Sequence, residues 1–385
     1  MHNRTEQFLN DPVFPLLIRM SAPNTIAFFI QAIVVLAEVW FISKLGTTSL
    51  AAVALAFPVI MLTQQMAFGA LGGAVTSSIA RSLGAEDKER AEKLLWHSLL
   101  LSCCGYLLFF LIFFIGGESL LMALGGEGSL LEESLLYIKI FLTGAIFIWL
   151  SGTLSAALRG IGNMRFPALL MIAGSGIQVI LAGGLILGWF GLPKLGIIGA
   201  PLSAISVAAL MAIVMIFKFM HSSSNVQLNL SNLSFKKELF RDIFNVALPA
   251  SLAPIFTVGT ILILTGLVGQ FGVSALAGYG IGSRIEFLMI PLVFGIGTAM
   301  TTMVGTNIGA KKVERAERIG WLGGSFAGLF SGMIGLMLIL SSSYWINFFA
   351  TDQATYEVTK QYIEIVGLCF TFQGLGLSLY FASQG

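Results

Sequence analysis

Ten apolar stretches of membrane-crossing length run through this 385-residue chain, at about 14–43, 48–79, 94–115, 134–158, 166–190, 196–219, 243–270, 275–306, 319–349 and 358–383. A spanning helix needs about 20 mainly apolar residues. Hydrocarbon offers no partner to backbone polar groups, so segments of this length cross as hydrogen-bonded helices. The stretches predict an all-α polytopic protein with the lipid bilayer as its solvent. Charged residues are only 10% of the chain, against about 25% in soluble domains. That excludes a cytosolic enzyme, a nucleic-acid binder and a disordered protein. The first stretch is too long for the apolar region of a signal peptide and lacks a small-residue cleavage site.

Lys and Arg concentrate on the cytoplasmic side of membrane proteins. Sixteen of the 21 basic residues fall in the N-terminal segment and the loops after spans 2, 4, 6 and 8. Lys44, Lys194 and Lys360 lie on the opposite side, and Lys139 and Arg284 fall within spans. The expected orientation is a cytoplasmic N-terminus in the inner or plasma membrane. Cys103, Cys104 and Cys369 have no metal or disulfide spacing and are expected to be small packed residues.

The chain also resembles itself. Ser21-Ala22-Pro23 answers Ala247-Leu248-Pro249, and Gly46 with Ser49-Leu50-Ala51 answers Gly272 with Ala275-Leu276-Ala277, both at an offset of 226. Gly84-Ala85 followed by Glu89 to Lys93 answers Gly309-Ala310 followed by Glu314 to Arg318 at 225. An even number of spans in each copy makes the copies parallel, and binding sites in such proteins lie between or within the halves near mid-membrane. The expected organisation is an N-lobe over 1–222 with six helices, a cytoplasmic linker and basic surface helix over 223–242, and a C-lobe over 243–385 with four. Gly385 answers Gly160, so the second copy lacks counterparts of two helices, and twelve are expected in all.

Leu45-Gly46-Thr47-Thr48-Ser49-Leu50-Ala51-Ala52, Ala80-Arg81-Ser82-Leu83-Gly84-Ala85, Leu158-Arg159-Gly160-Ile161-Gly162-Asn163 and Phe381-Ala382-Ser383-Gln384-Gly385 resemble the multidrug and toxin extrusion (MATE) family. The resemblance runs from about residue 14 to the end. It implies two helical lobes, alternating access, and export of small organic cations against inward proton or sodium flow, by a chain expected to act as a monomer.

Ionisable groups inside a span cost about 2.5–3.5 kcal/mol on insertion scales and are functional candidates by default. Glu38 leads, in the run Val35-Leu36-Ala37-Glu38-Val39-Trp40-Phe41. Asn24, Gln31 and Glu38 are spaced by sevens, which places them along one helix face. Such a stripe points to a cavity, with Pro23 at its base as a possible hinge. Desolvation disfavours the charged form of a carboxyl, so Glu38 suits carrying a proton or, ionised, holding a cation. A Glu at the outer end of a helix, snorkelling to water, is the other reading. The resemblance implies that an acidic residue of the first helix, usually Asp, does the coupling, and Glu38 is its match here. Gln178 and Ser203 match polar positions lining the same lobe, either as pathway or as helix–helix hydrogen bonds. Some relatives carry a further acid where this chain has Ala182. Trp40 and Tyr279 are candidates for contact with flat cations through their ring faces.

Secondary candidates are Glu286, Arg284, Lys139, Glu364 and Gln373. Glu286 and Arg284, at i and i+2, do not face each other. Glu364 answers Lys139 by the offset, so an ion pair between lobes competes with separate structural partners. No P-loop or zinc-protease motif is present, so neither enzyme chemistry nor a resident cofactor or metal is expected. The sequence therefore predicts a proton- or sodium-coupled exporter of organic cations. The alternative is a lipid-linked precursor flippase of the same superfamily, which needs a basic cavity.

Overall fold

The computed structural model describes residues 4–221, 226–229, 234, 236–286, 289–349 and 352–385. It is helical throughout, with no strand among the described residues. The first copy of the repeat comprises a short helix α1 (Arg4–Asn10), then α2 (Val13–Ser43), α3 (Thr47–Gln64), α4 (Gly72–Gly84), α5 (Lys88–Ala123), α6 (Gly128–Gly160), α7 (Arg165–Leu187) and α8 (Gly199–His221). A π-helical turn, Gln65–Leu71, joins α3 to α4, so the two make one span. The second copy comprises α9 (Lys237–Gly269), α10 (Val273–Glu286), α11 (Ile290–Gly309), α12 (Val313–Leu340), α13 (Ser342–Phe349) and α14 (Gln353–Gln384). Among the described residues, ten spans are long and apolar enough to cross a membrane.

Three boundaries depart from the sequence reading. The stretch 275–306 is two helices, α10 and α11, not one. Gly278, Gly280 and Gly282 weaken the first, and Pro291, without an N–H, sits in the first turn of the second, where a helix begins but does not continue. The stretch 319–349 breaks after Leu340, at a run of serines whose hydroxyls compete for backbone hydrogen bonds. The basic surface helix expected before span 7 is no separate element. It forms the first turns of α9, which passes through Pro249 and Pro254 without interruption.

The outside is apolar, as lipid solvation requires, and polar side chains are buried among an apolar core. Leu108, Phe114 and Ile115 of α5 are exposed, while Ser77, Ser78, Thr302 and Asn307 are buried. Small residues let helix backbones approach. α4 and α11 pack against each other at the centre of the molecule, and α12 packs along α14 through Gly324, Gly328 and Gly335. Cys103, Cys104 and Cys369 are exposed on the apolar surface, not packed inside as expected; a thiol is apolar enough to face lipid.

The two copies repeat their hydrogen bonds as well as their sequence. Thr76 Oγ1 donates to Ala156 O at 3.0 Å, and Thr301 Oγ1 donates to Phe381 O at 2.8 Å. Ser134 Oγ donates to Ala52 O, and Thr359 Oγ1 to Gly278 O. Glu86 and Lys311, 225 residues apart, both adopt φ of 60° in the turn that follows the central helix.

Candidate functional site

Helix α2 is apolar apart from a few polar side chains, and most of these find partners on other helices. Glu38 lies one turn from the helix end and is partly exposed. Gln178 Nε2 of α7 donates to Glu38 Oε1 at 2.8 Å. Ser203 Oγ of α8 reaches the same oxygen at 3.5 Å, and donates at 2.8 Å to the Ala200 carbonyl. The Gln178 bond is therefore the short one holding the carboxylate. Gln178 and Ser203 are both buried. Tyr137 of α6, also buried, lies within electrostatic range of the Glu38 carboxylate. Two turns below, Gln31 Oε1 accepts from the buried Ser175 of α7 at 3.0 Å.

The sevenfold spacing thus divides. Gln31 and Glu38 face α7, and Glu38 also reaches α8. Asn24 turns to the second copy, donating through Nδ2 to Thr298 Oγ1 of α11 at 3.2 Å and lying 3.4 Å from Met164 Sδ. A helix turns about 100° per residue, so seven steps fall about 20° short of two full turns. That drift carries the foot of the stripe onto a different neighbour. α2 and α11 are very close here: a Cβ on Gly295 would stand 2.7 Å from the Thr25 Cα. Pro23 lies inside α2 beside this junction.

The remaining predicted residues are dispersed. Trp40 is exposed near the C-terminal end of α2, edge-on to Phe41 and tilted against Trp189, with Lys44 Nζ 4.9 Å from its ring centre. Tyr279 of α10 stands edge-on to Tyr362 of α14. Lys139, Glu364 and Gln373 are exposed, and the conceived Lys139–Glu364 ion pair is absent among the described residues. Arg284 and Glu286 belong to the last turn of α10, and their side chains lie outside the described residues. Ala182 is fully buried in α7.

Sequence reasoning missed Ser175 and Tyr137. Ser175 stands three residues before Gln178, a polar i, i+3 pair on a buried face of α7 that carried the signal. Tyr137 answers Tyr362 at the repeat offset, a tyrosine in the first third of a long helix in both copies. It also missed the basic end, where Asp242 of α9 bonds Arg81 of α4 at 2.8 Å and Arg90 of α5 at 2.9 Å.

The chain is 26% identical to a FAD transporter of Shewanella oneidensis, over 97% of this chain and 82% of that protein. It is 26% identical to a probable multidrug resistance protein, NorM, of Thermotoga maritima, over 96% of this chain and 79% of that one. The solved structure of a MOP superfamily transporter from Pyrococcus furiosus superposes with a TM-score of 0.89 at 25% identity, covering 98% of this chain and 84% of its own. The MatE family model matches residues 23–182 and 249–385, one segment in each copy of the repeat, and on that match the chain belongs to the MatE family of multi-pass membrane transporters.

Proposed function

We propose that the chain is an ion-coupled antiporter of the plasma membrane. It exports organic cations by alternating access, as a monomer, with Glu38 as the coupling carboxylate. The observation that carries this reading is the 2.8 Å bond from Gln178 to Glu38, which holds a lone carboxylate in position on an otherwise apolar helix. Its partial exposure leaves it open to exchange. Outward-facing, Glu38 takes a proton or a sodium ion, loses its net charge, and releases the bound cation. Inward-facing, it gives up the ion and binds a cation from the cytoplasm. The two ligands compete for one charge, and that differential affinity couples ion flow to export. Pro23, beside the Asn24–Thr298 junction, is where α2 bends between states.

Everted membrane vesicles test this. In them, pH-driven or sodium-driven ethidium uptake is lost in Glu38→Gln and partly kept in Glu38→Asp. Uptake by Glu38→Gln at the wild-type rate removes Glu38 from the mechanism.

A second reading, export of an anionic dinucleotide, has its own support in the similarity to a FAD transporter and in Arg159 of α6. That guanidinium is buried, its Nη1 donates to Ser155 Oγ at 2.9 Å, and its Nε has no partner among the described residues. FAD uptake that disappears in Arg159→Gln while ethidium uptake persists favours this reading. The flippase alternative asks for several cations around one cavity. Lys139, one of the two considered, is exposed.

A further inference from the structure

His97 of α5 is fully buried where that helix meets the start of α9. Two backbone groups flank its imidazole. Nδ1 lies 2.7 Å from the Lys93 carbonyl oxygen, one turn back on α5, and the Lys236 N–H donates to Nε2 at 2.9 Å. A carbonyl only accepts and a backbone N–H only donates. Nδ1 therefore carries the hydrogen and Nε2 the lone pair. Of the three forms open to an imidazole, the neutral Nδ1–H tautomer alone fits both neighbours.

Lys236 is the residue from which α9 starts. Its carbonyl accepts from the Leu239 N–H at 3.1 Å and the Phe240 N–H at 3.4 Å. Phe240 lays its ring against the imidazole, with centroids 4.5 Å apart, and Leu239 and Ile243 are buried beside it. His97 thus fixes the point at which the connection between the copies becomes helix. Less than two turns further on, Asp242 takes Arg81 and Arg90.

A protonated imidazole has an N–H on both nitrogens and no acceptor. Nε2–H and the Lys236 N–H would then point at each other, and a positive charge would lie out of water. The surroundings do not favour that charge. In the turns before the ring, α5 brings Glu89, Arg90, Glu92 and Lys93. The start of α9 brings Lys236, Lys237, Glu238, Arg241 and Asp242. At this end α4 brings Arg81 and α6 brings Arg159, while α3 and the π-helical turn, which also touch α5, carry no charged residue. Bases outnumber acids among these groups. Glu89 is paired with Lys93, Glu92 with Lys88 and Asp242 with the two arginines, and Glu238 is exposed.

We infer that His97 is a pH-sensitive catch on the start of α9: the neutral ring holds Lys236, and the protonated ring releases it. The inference is independent of the transported substrate and of Glu38.

A nitroxide on Lys237→Cys, an exposed position next to the catch, tests this in the full chain, with Cys103, Cys104 and Cys369 replaced by alanine. Phosphatidylcholine nanodiscs hold the protein, and the electron paramagnetic resonance spectrum is read from about pH 8 to about pH 5, the range in which imidazoles titrate. The mobile component is expected to grow about fivefold or more as pH falls, the worth of one hydrogen bond, and to shrink again when pH is restored. His97→Gln keeps an acceptor near the Nε2 position and does not titrate, so its spectrum is expected to stay ordered throughout. His97→Leu has no acceptor and is expected to be mobile already at the upper end. His221→Gln, which removes the other described imidazole, and Glu89→Gln and Glu92→Gln are expected to keep the parent's response. An unchanging parent spectrum, an irreversible change, the parent's response surviving in His97→Gln, or its loss in the His221, Glu89 or Glu92 variant would each overturn the inference.

Discussion

Gly84 and Gly309 are reciprocal partners at the centre of the molecule. A Cβ on Gly84 would lie 2.0 Å from the Thr306 carbonyl oxygen, and a Cβ on Gly309 would lie 2.0 Å from that of Arg81. Each helix end is pressed against the other's last backbone turn, where no side chain of any size fits. Gly84→Ala and Gly309→Ala are therefore expected to destabilise by about 1–3 kcal/mol each, the range for overpacking. Gly259, on α9, has nothing within 4 Å of a built Cβ. Gly259→Ala is expected to be neutral or to stabilise by about 0.5–1 kcal/mol through helix propensity. Thermal unfolding in detergent, followed by loss of the monodisperse peak, separates the two classes. Equal melting of all three variants would mean that the α4–α11 approach is looser than this.

Glu38 and Gln178 form one functional unit, and their substitutions are expected not to add. A hydrogen bond to a charged group contributes about 1.5–3 kcal/mol. Gln178→Leu is thus expected to slow ion-driven export roughly ten- to a hundredfold, while Glu38→Gln abolishes it. The double variant is then no worse than Glu38→Gln alone, because neighbours in one network couple. Initial rates in proteoliposomes with an imposed ion gradient measure this. A wild-type rate in Gln178→Leu would make the 2.8 Å bond incidental.

Much of this was legible in the sequence, because the determinants are local. Apolar length marks a span, and the 225-residue repeat marks pairs such as Thr76 and Thr301 before any fold is known. Glu38 stood out as an acid within an apolar run, and Gln178 and Ser203, which the resemblance placed only in the same lobe, both come within 3.5 Å of its carboxylate. The destination of Asn24 was not legible, since helix drift and the near-touching of α2 and α11 decide it. The break between α10 and α11 lies within what reads as one long span, 275–306, although Arg284 and Glu286 stand just before it. Asp242 was hidden too, because its partners Arg81 and Arg90 are 161 and 152 residues distant and no local pattern joins them.

The Asn24–Thr298 bond joins the foot of α2 to the second copy, next to Pro23. Polar pairs inside membrane bundles couple by about 0.6 kcal/mol on average and at most about 1.7. A double-mutant cycle of Asn24→Ala and Thr298→Val, read by unfolding in a mixed detergent series, is expected to fall in that range. A coupling of zero would release α2 from α11 and leave Pro23 without a fixed neighbour to bend against.

Asp242 uses one carboxylate oxygen for each of two arginines of the first copy, Arg81 and Arg90, and so ties α9 across the basic end. Arg81 also donates to the Gly385 carbonyl at 3.2 Å and to Ser77 Oγ. The second copy answers with Arg315, at the offset of Arg90, which donates to the carbonyls of Phe8 and Asp11, and with Lys312, which reaches Leu9 O at 3.2 Å. In the proposed alternating-access cycle both sets break when this end opens. Asp242 and Arg81 are each about four-fifths buried as side chains, so their pairing is worth more than the 0–1 kcal/mol of a surface pair. It is worth less than the 3–5 kcal/mol lost when a fully buried pair is broken. Asp242→Asn is expected to move the equilibrium toward opening by about 1–2 kcal/mol, roughly five- to thirtyfold in population. With Cys103, Cys104 and Cys369 replaced, a cysteine at Ser78, which is buried beneath the latch, reports the change. Its alkylation by a water-soluble maleimide is expected to accelerate at least fivefold in Asp242→Asn and to return to the wild-type rate with Asp242 restored. An unchanged labelling rate would show that the Arg315 side alone holds this end shut.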